Sequence, residues 1–449
     1  MSRHKAYPEY KDSEIEWLGA IPVAWNVVSL KRVGEIFNGA TPKSDREDYW
    51  DGDISWITPA DLGKDKSRHI SEGARSITTL GYLSCGTKLI AKGTIILSSR
   101  APIGTLGIAE RELCTNQGCK SITTGEKLHN DFLYYLFRCS TKWLNLLGRG
   151  TTFLELSTDE LAAYKVCTPP IDEQWKIVDF LDHEIAKIDT LIEKQQALIA
   201  LLKEKRQAVI SHAVTKGLNP DVSMRDSGVE WLGMVPAHWI VRRLKHTAAL
   251  QSGMPKGKDL ADRHTISVPM LRVANVQDGY VDLSDVHQIN IEPTDLDRYT
   301  LKNGDVLMNE GGDNDKLGRG AVWDGSIQPC IHQNHVFAIR PQEIEPEWLD
   351  LVTRADYAKF HFFRVAKQST NLASISSSNI KETPLLIPPE VERRNIMKFV
   401  ESKLSKFDLL EMQANKQIEL FQERRTALIS AAVTGKIDVR DWQPPEAAA

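Results

Sequence analysis

The chain of 449 residues has no apolar run of the roughly 18–20 residues that a bilayer-spanning helix requires. Its first residues, MSRHKAYPEYKDSE, are polar and contain no apolar signal-peptide core. No two of its six cysteines are spaced as in a CxxC motif. We therefore expect a cytoplasmic protein with reduced thiols and no contact with a membrane.

The chain also has no excess of basic residues. Lysine and arginine number 56 against 60 aspartates and glutamates, and the net charge is −4. A protein that binds nucleic acid unaided usually carries a basic domain. A local basic surface, or a partner that supplies positive charge, is still compatible with this composition.

Motifs of catalytic and metal sites are absent. TPPI at 168–171 and IPPE at 387–390 lack the Asn or Asp and the aromatic residue of the amino-methyltransferase motif [DN]PP[YF]. Cys330, His332 and His335 form a C-x-H-x-x-H cluster, but a structural zinc site usually has four ligands, so we favour a strand edge. We predict no catalytic residue and no bound metal in this chain.

What the chain does contain is a long internal duplication. DSEIEWLGAIPVAWNVVSLKRVGEIFNG at 12–39 returns as DSGVEWLGMVPAHWIVRRLKHTAALQSG at 226–253, an offset of 226 − 12 = 214 residues. The segments that begin at Pro169 and Pro388 match with an offset of 388 − 169 = 219 residues. Solenoid repeats are about 20–50 residues long, so these offsets indicate a duplicated domain.

Each copy begins with a segment of α+β pattern. Runs rich in β-branched and aromatic residues, bounded by turn residues, predict strands. Apolar residues at three- and four-residue spacing predict one helix in each copy. The predicted strands are 94–99, 106–110 and 120–124 in the first copy and 305–310, 320–325 and 335–341 in the second, and the helices are 130–147 and 346–363.

Each copy ends with a long heptad pattern. Residues 173–213 as one helix would be about 60 Å long, and its apolar stripe needs a partner, so we predict an intramolecular antiparallel coiled coil. The alternative is two separate amphipathic helices, each packed on its own globule. Gln195 and Ala414 lie in the middle of the repeat, and we hypothesise that they fix the helix register. The predicted seam residues are Leu181, Ile188, Gln195, Leu202 and Val209, with Val400, Phe407, Ala414, Phe421 and Leu428 in the copy.

Polar and basic loops of the two globules are the candidate functional sites. Lys and Arg neutralise phosphates, whereas Arg, Lys, Asn and Gln hydrogen-bond to base edges. Ordinary solvated loops have a similar composition, so this pattern alone leaves both interpretations open. The candidate DNA-binding residues are Lys43, Arg46, Lys64, Lys66, Arg68, Arg100, Arg149 and Thr151 in the first globule and Lys256, Lys258, Arg272, Asn275, Lys316, Arg319, Lys367 and Asn371 in the second.

Longer motifs resemble the specificity (S) subunit of Type I restriction-modification enzymes. They are EWLG-x-[IV]-P-x-x-W, NGATPKSDREDYWDGDISWITPADL at 38–62, and the PP-x-x-E-x-x-x-I helices that end in ISxAVT. The resemblance implies an α+β fold in which two pseudo-symmetric α/β target recognition domains are joined by two long conserved helices forming an antiparallel coiled coil. Its implied domains are target recognition domain 1 (1–165), a central conserved helical region (166–222), target recognition domain 2 (223–385), and a distal conserved helical region with the C-terminal tail (386–449).

The resemblance also implies a function. Each domain would read one half of a bipartite, asymmetric double-stranded DNA site, and the helices would set the spacing and dock two modification (methyltransferase) subunits. Two restriction (motor-nuclease) subunits would join for cleavage, and S-adenosylmethionine, ATP and magnesium would be bound by those partners. The alternatives are a non-catalytic coiled-coil scaffold that assembles proteins without reading DNA, and a methyltransferase in its own right.

Overall fold

A computed structural model describes residues 5–63, 67–148, 154–255, 263–312, 317–368 and 373–444. The chain forms two compact units. Unit 1 contains Met1–Gln195 and Lys416–Ala449, and unit 2 contains Gln196–Asn415. Each unit therefore holds one α+β globule and parts of both long helices.

The elements of unit 1 follow the chain order. Its strands are β1 (Tyr10–Asp12), β2 (Ala20–Pro22), β3 (Asn26–Ser29), β4 (Gly34–Asn38), β5 (Trp50–Ile57), β6 (His69–Ile70), β7 (Arg75–Ile77), β8 (Ile95–Ser98), β9 (Leu106–Ala109), β10 (Cys114–Thr115), β11 (Cys119–Thr124) and β12 (Lys165–Thr168). Its helices are α1 (Thr79–Leu83), α2 (Asn130–Leu147), α3 (Thr158–Ala163) and the first part of α4 (Ile171–Lys216).

Unit 2 repeats this arrangement with its own insertions. Its strands are β13 (Met224–Asp226), β14 (Met234–Pro236), β15 (Ile240–Arg243), β16 (Ala248–Ser252), β17 (Ile266–Leu271), β18 (His287–Ile291), β19 (Val306–Asn309), β20 (Gly311–Gly312), β21 (Gly320–Val322), β22 (Ile331–His332), β23 (Val336–Pro341), β24 (Lys367–Gln368), β25 (Ala373–Ser374) and β26 (Pro384–Ile387). Its helices are α5 (Pro293–Tyr299), α6 (Pro346–Arg354), α7 (Asp356–Val365), α8 (Ser377–Lys381) and the first part of α9 (Glu390–Val433).

The two globules share one sheet topology. The central sheet has the order β4-β11-β8-β9-β6 in unit 1 and β16-β23-β19-β21 in unit 2. A second sheet has the order β10-β5-β7 in unit 1 and β22-β17-β18 in unit 2. Each of the six strands predicted from the sequence is present in these sheets, and unit 1 adds β6 at an edge.

Side-chain alternation explains why the middle strand of each central sheet is almost wholly apolar. Ile95 and Leu97 of β8 belong to the main core of unit 1, whereas Ile96 belongs to a smaller core on the other face. The equivalent strand β19 divides its residues in the same way. Successive side chains of a strand point to opposite faces, so a strand covered on both faces loses the polar half of its pattern.

The helix predicted over 130–147 is confirmed as α2, but the prediction of one helix over 346–363 is wrong. Helices α6 and α7 are separated at Ala355, whose backbone is extended with φ −71° and ψ 150°. Two side chains of α4 bind the polar groups exposed by this break. Gln207 Nε2 donates to the Arg354 carbonyl oxygen at 2.8 Å, and the Asp356 backbone N–H donates to Ser211 Oγ at 2.9 Å.

The long helices are confirmed, and they pair antiparallel. Helix α4 has 46 residues and α9 has 44. Asp189 pairs with Arg425 at 2.7 Å in unit 1, and Arg206 pairs with Asp408 in unit 2. The repeat offset of 219 converts Asp189 into Asp408 and Arg206 into Arg425, so the same ion pair occurs twice. The independent-helix alternative is therefore wrong.

Burial along these helices follows the predicted seam in part. In unit 1, Leu181 and Ile188 are buried, and Gln195, Phe421 and Leu428 are partly buried. In unit 2, Leu202, Val400 and Ala414 are buried, and Val209 and Phe407 are partly buried. The role of Gln195 and Ala414 in fixing the register stays a prediction.

The first helical turn of each long helix is tied to the globule by the same contact. In unit 1, Trp25 Nε1 donates to Glu173 at 2.9 Å, and in unit 2, Trp239 Nε1 donates to Glu392 at 3.1 Å. These are the second Trp of the opening motif and the Glu of PP-x-x-E. The motifs that repeat in the sequence thus build the connection between globule and helix.

Candidate DNA interface

One edge of the central sheet gathers the loops of each globule. In unit 1, β4 and β8 end at this edge, and β9 and β11 begin there. In unit 2, β16 and β19 end at the equivalent edge, and β21 and β23 begin there. We call this the loop edge of each unit.

The same backbone hydrogen bonds hold both loop edges. In unit 1, Ser99 N–H donates to the Gly118 carbonyl and Leu156 N–H donates to the Ser99 carbonyl, both at 2.8 Å. In unit 2, Glu310 N–H donates to the His335 carbonyl at 2.9 Å and Ile375 N–H donates to the Glu310 carbonyl at 2.8 Å. Segments far apart in the sequence, including the predicted loops 98–104 and 310–320, therefore meet neighbouring loops at one edge.

Three predicted residues lie at or next to the loop edge of unit 1. Lys43 is exposed. Arg46 pairs with Asp48 at 2.7 Å, and Arg100 pairs with Glu155 at 3.2 Å, with all four side chains at least 40% exposed. Exposed ion pairs contribute little to stability because water and salt screen them, so exchanging these carboxylates for a phosphate costs little.

Lys120 is a polar group of this edge that the sequence interpretation missed. Its side chain is buried, and its Nζ donates to Asn38 Oδ1 at 2.7 Å. The same oxygen accepts a bond from Thr158 Oγ1 at 2.8 Å. Burial lowers the pKa of Lys120, and the nearby Glu155 opposes that shift. Because Lys120 lies within a strand, loop composition could not reveal it.

Arg68 contacts the helices of unit 1. Its guanidinium is 2.9 Å from Asp131 of α2 and 2.5 Å from Asp182 of α4, and it donates to Tyr135 Oη at 3.0 Å. Two carboxylates already neutralise this cation. Its contacts indicate that Arg68 fastens the loop to α2 and α4.

Arg272 and Asn275 of unit 2 hold their own loop. Asn275 Nδ2 donates to the carbonyl oxygens of Asp282 and Asp285, both at 2.9 Å, and Arg272 pairs with Asp285 at 2.7 Å. Asn275 is 3% exposed, so its amide stabilises this loop from within the fold.

Arg319 and Lys367 are the described candidates near the loop edge of unit 2. Arg319 immediately precedes β21, donates to Gln277 Oε1 at 2.8 Å, and lines a cleft of about 720 Å³. Lys367 begins β24 and is exposed. The other candidates, which are Lys64, Lys66, Arg149, Thr151, Lys256, Lys258, Lys316 and Asn371, lie outside the described residues.

The two histidines of the C-x-H-x-x-H segment contact groups of the protein itself, a backbone carbonyl and a carboxylate. Cys330 and His332 are buried, and His332 Nδ1 lies 2.6 Å from the Val336 carbonyl oxygen. His335 Nδ1 lies 2.7 Å from Glu310 Oε2. Across the described ranges, no group of three or more His, Cys, Asp or Glu side chains could hold a metal ion. Nor is any helix in those ranges long and apolar enough to cross a membrane.

Comparison with known proteins gives consistent matches. The family Methylase_S, the Type I restriction modification DNA specificity domain, matches residues 22–200. The Type I restriction enzyme MjaIX specificity subunit of Methanocaldococcus jannaschii is 27% identical, with 96% of this chain and 97% of the relative covered. The EcoKI specificity subunit of Escherichia coli K12 is 21% identical, with 95% and 91% covered.

Solved structures match in fold. A chain from a study of complex assembly and conformational transition in the type I R-M system superposes with a TM-score of 0.69 at 15% identity, with 92% of this chain and 98% of that chain covered. The HsdS subunit from Thermoanaerobacter tengcongensis gives a TM-score of 0.53 at 16% identity, with 93% and 98% covered. The chain is therefore similar in sequence to Type I restriction enzyme specificity subunits, contains a match to their DNA specificity domain at residues 22–200, and shares the fold of these solved structures.

Proposed function

We propose that this chain is the DNA-recognition subunit of a Type I restriction-modification complex and has no catalytic activity of its own. Target recognition domains 1 (1–165) and 2 (223–385) each read one half of a bipartite, asymmetric site. The observation that carries the proposal is that one sheet occurs twice with unlike loops at equivalent edges.

The difference between the loops accounts for an asymmetric target. SSRAPIGTLG at 98–107 and EGGDNDKLGRG at 310–320 follow equivalent strands but share little sequence. The repeated frame gives each unit a loop edge at the equivalent place in its own sheet, and the side chains there determine which base edges can be bonded. Unlike side chains therefore select unlike half-sites.

The proposed phosphate-contacting residues are those with a cationic side chain near a loop edge. They are Lys43, Arg46 and Arg100 in unit 1 and Arg319 and Lys367 in unit 2. We assign Arg68, Arg272 and Asn275 to the fold, because contacts within their own unit occupy their polar groups and their side chains are much less exposed than those of Arg46 and Arg100.

The helical regions 166–222 and 386–449 set the spacing between half-sites and dock two methyltransferase subunits, and two restriction subunits join that complex. Exposed leucines on the two long helices support the docking of partner subunits there. Leu191 and Leu410 are 39% and 43% exposed, and Leu201 and Leu420 are 47% and 43% exposed. Each pair is separated by the repeat offset of 219, as expected if two copies of one partner bind.

S-adenosylmethionine, ATP and magnesium belong to the partner subunits in this proposal. The net charge of −4 is compatible with DNA binding in this proposal, because methyltransferase subunits around the duplex can add phosphate contacts to those of this chain.

The test is to express the chain with its methyltransferase subunits and map methylated adenines by long-read sequencing. We expect one bipartite site with two different halves. Replacing residues 223–385 by those of a relative should change one half only, and Arg100→Ala should reduce modification without dissociating the complex. Methylation without sequence preference, or DNA binding that does not weaken with salt, would instead support the scaffold alternative.

A further inference from the structure

A short turn occupies the same place in each loop edge. Asn116-Gln117-Gly118 precedes β11 in unit 1, and Gln333-Asn334-His335 precedes β23 in unit 2. The two turns correspond at an offset of 217 residues, and we call them the edge turns. Both contain an Asn and a Gln, although in opposite order.

Matching backbone bonds fix the two edge turns. Asn116 N–H donates to the Ile57 carbonyl at 2.9 Å, and Cys119 N–H donates to the Asn116 carbonyl at 3.1 Å. In unit 2, Gln333 N–H donates to the Leu271 carbonyl at 2.9 Å, and Val336 N–H donates to the Gln333 carbonyl at 2.8 Å. Each turn is therefore anchored to the parallel strand of the second sheet and to its own strand.

A glycine packs closely against the backbone of each edge turn. A Cβ atom on Gly39 would lie 2.0 Å from the Asn116 carbonyl oxygen, and one on Gly253 would lie 2.3 Å from the Gln333 carbonyl oxygen. Both positions exclude any side chain, and they correspond at the offset of 214. This packing pre-positions the turns, as recognition of a base edge requires.

The edge turn of unit 1 presents a carboxamide. Gln117 is exposed, and its Oε1 accepts a bond from Thr41 Oγ1. Among the described residues, no partner is present for its Nε2. Asn116 differs, because its Oδ1 accepts the Gly118 N–H at 2.9 Å and so supports the turn itself.

The loop edge of unit 2 instead presents a carboxylate beside its edge turn, that of Glu310, which directly follows β19. Glu310 Oε2 lies 2.7 Å from His335 Nδ1, and their side chains are 28% and 56% exposed. Unit 1 has Ser99 and Gly118 at the positions equivalent to Glu310 and His335, since both pairs share the same backbone bond. A carboxylate repels phosphate, so at a DNA-facing edge its favourable partner is a base amino group.

We propose that Gln117 of the unit 1 edge turn reads an adenine edge, and that Glu310, oriented by His335 of the unit 2 edge turn, reads a base amino group. This inference rests on the proposed function. A carboxamide can bond adenine N6 and N7 together, and a carboxylate accepts from cytosine N4. The two half-sites therefore differ at the base pairs that face these turns.

The test compares Gln117→Ala and Glu310→Ala in the complex with its methyltransferase subunits, using a library of randomised sites. Each variant should make one base pair of its own half-site degenerate and slow methylation of the original site by about 5- to 150-fold. The other half-site should stay fully specific, which also verifies that the variant is folded.

Two controls separate base reading from general binding. Gln342 is exposed just after β23, at the opposite edge of the sheet, so Gln342→Ala should leave the site and the rate unchanged. Arg46→Ala should weaken binding to all sequences and reduce the salt dependence by about one phosphate contact. If the complexes with Gln117→Ala and with Glu310→Ala both methylate the original site within twofold of the wild-type rate, the inference is overturned. If the wild-type complex recognises no bipartite site, the proposed function itself fails.

Discussion

Replacing Glu173 tests whether the repeated Trp–Glu contact holds the globule of unit 1 to its helix. Glu173 is 7% exposed in the first turn of α4. Its Oε1 accepts bonds from Tyr7 Oη at 2.5 Å and from Trp25 Nε1 at 2.9 Å. Tyr7 is 6% exposed and Trp25 is fully buried, so water cannot easily replace the lost acceptor.

The expected loss of stability follows from the two donors that Glu173→Ala leaves without an acceptor. A buried donor left without a partner costs about 1–3 kcal/mol, so Glu173→Ala should lower the free energy of unfolding by about 2–6 kcal/mol. Glu173→Gln keeps an acceptor oxygen but loses the charge, and we expect about half of that loss.

Glu392 in unit 2 provides the matched control. It accepts from Trp239 Nε1 at 3.1 Å and contacts His238 Nε2 at 2.7 Å. The side chains of Glu392 and His238 are 30% and 43% exposed, so water can solvate what Glu392→Ala leaves behind. We expect a loss of about 1–2 kcal/mol there.

Urea denaturation followed by far-UV circular dichroism measures these differences, with unfolding transitions fitted separately where two are resolved. A change of less than about 1 kcal/mol in the free energy of unfolding for Glu173→Ala, or a larger loss for Glu392→Ala than for Glu173→Ala, would show that Glu173 does not hold the globule to its helix.

Three further predictions concern other parts of the chain. Arg425→Asp should cost about 1 kcal/mol by facing Asp189, and adding Asp189→Arg should restore the loss; a double-mutant cycle in urea with no coupling would contradict the pairing. Burial raises the pKa of Asp350 from 3.8 to about 6, so the unfolded state ionises first and stability falls by up to about 3 kcal/mol as the pH rises from about 4 to about 6. Asp350→Asn should remove that slope in urea titrations across this range, and an unchanged slope would exclude Asp350 as its cause. Because the backbone of Lys5 pairs with that of Asp438 in an antiparallel β-bridge, a permutant opened within 218–221, with residue 444 linked to residue 5, should keep the circular dichroism spectrum of the chain and support methylation by the methyltransferase subunits; a chain that fails to fold would count against this circular arrangement.

Local patterns were enough to predict many elements. The apolar spacing of residues 130–147 gave the bounds of α2, and the strand pattern near Ile95 located β8, because both signals depend on neighbours within a few residues. The break at Ala355 was not predictable in this way. It depends on Gln207 and Ser211, which lie 147 and 145 residues from their partners in the chain.

The same distinction applies to the candidate site. Arg68 has the composition of a DNA-contacting residue, yet Asp131 and Asp182 bind it from distant helices. Lys120 looks like an ordinary strand residue, yet it lies beside Asn38 at the loop edge. Charge in the sequence identifies possible ligands for phosphate, but ion pairing within the fold decides which of them remain available.

By itself, the sequence determined the duplication, the long heptad helices and the division between a repeated frame and unlike loops. These features are periodic or repeated, so the sequence shows them without any knowledge of long-range contacts. Only the tertiary structure decided that Gln117 and Glu310 occupy equivalent edges, because antiparallel pairing of strands brings loops from distant segments to one side of a sheet.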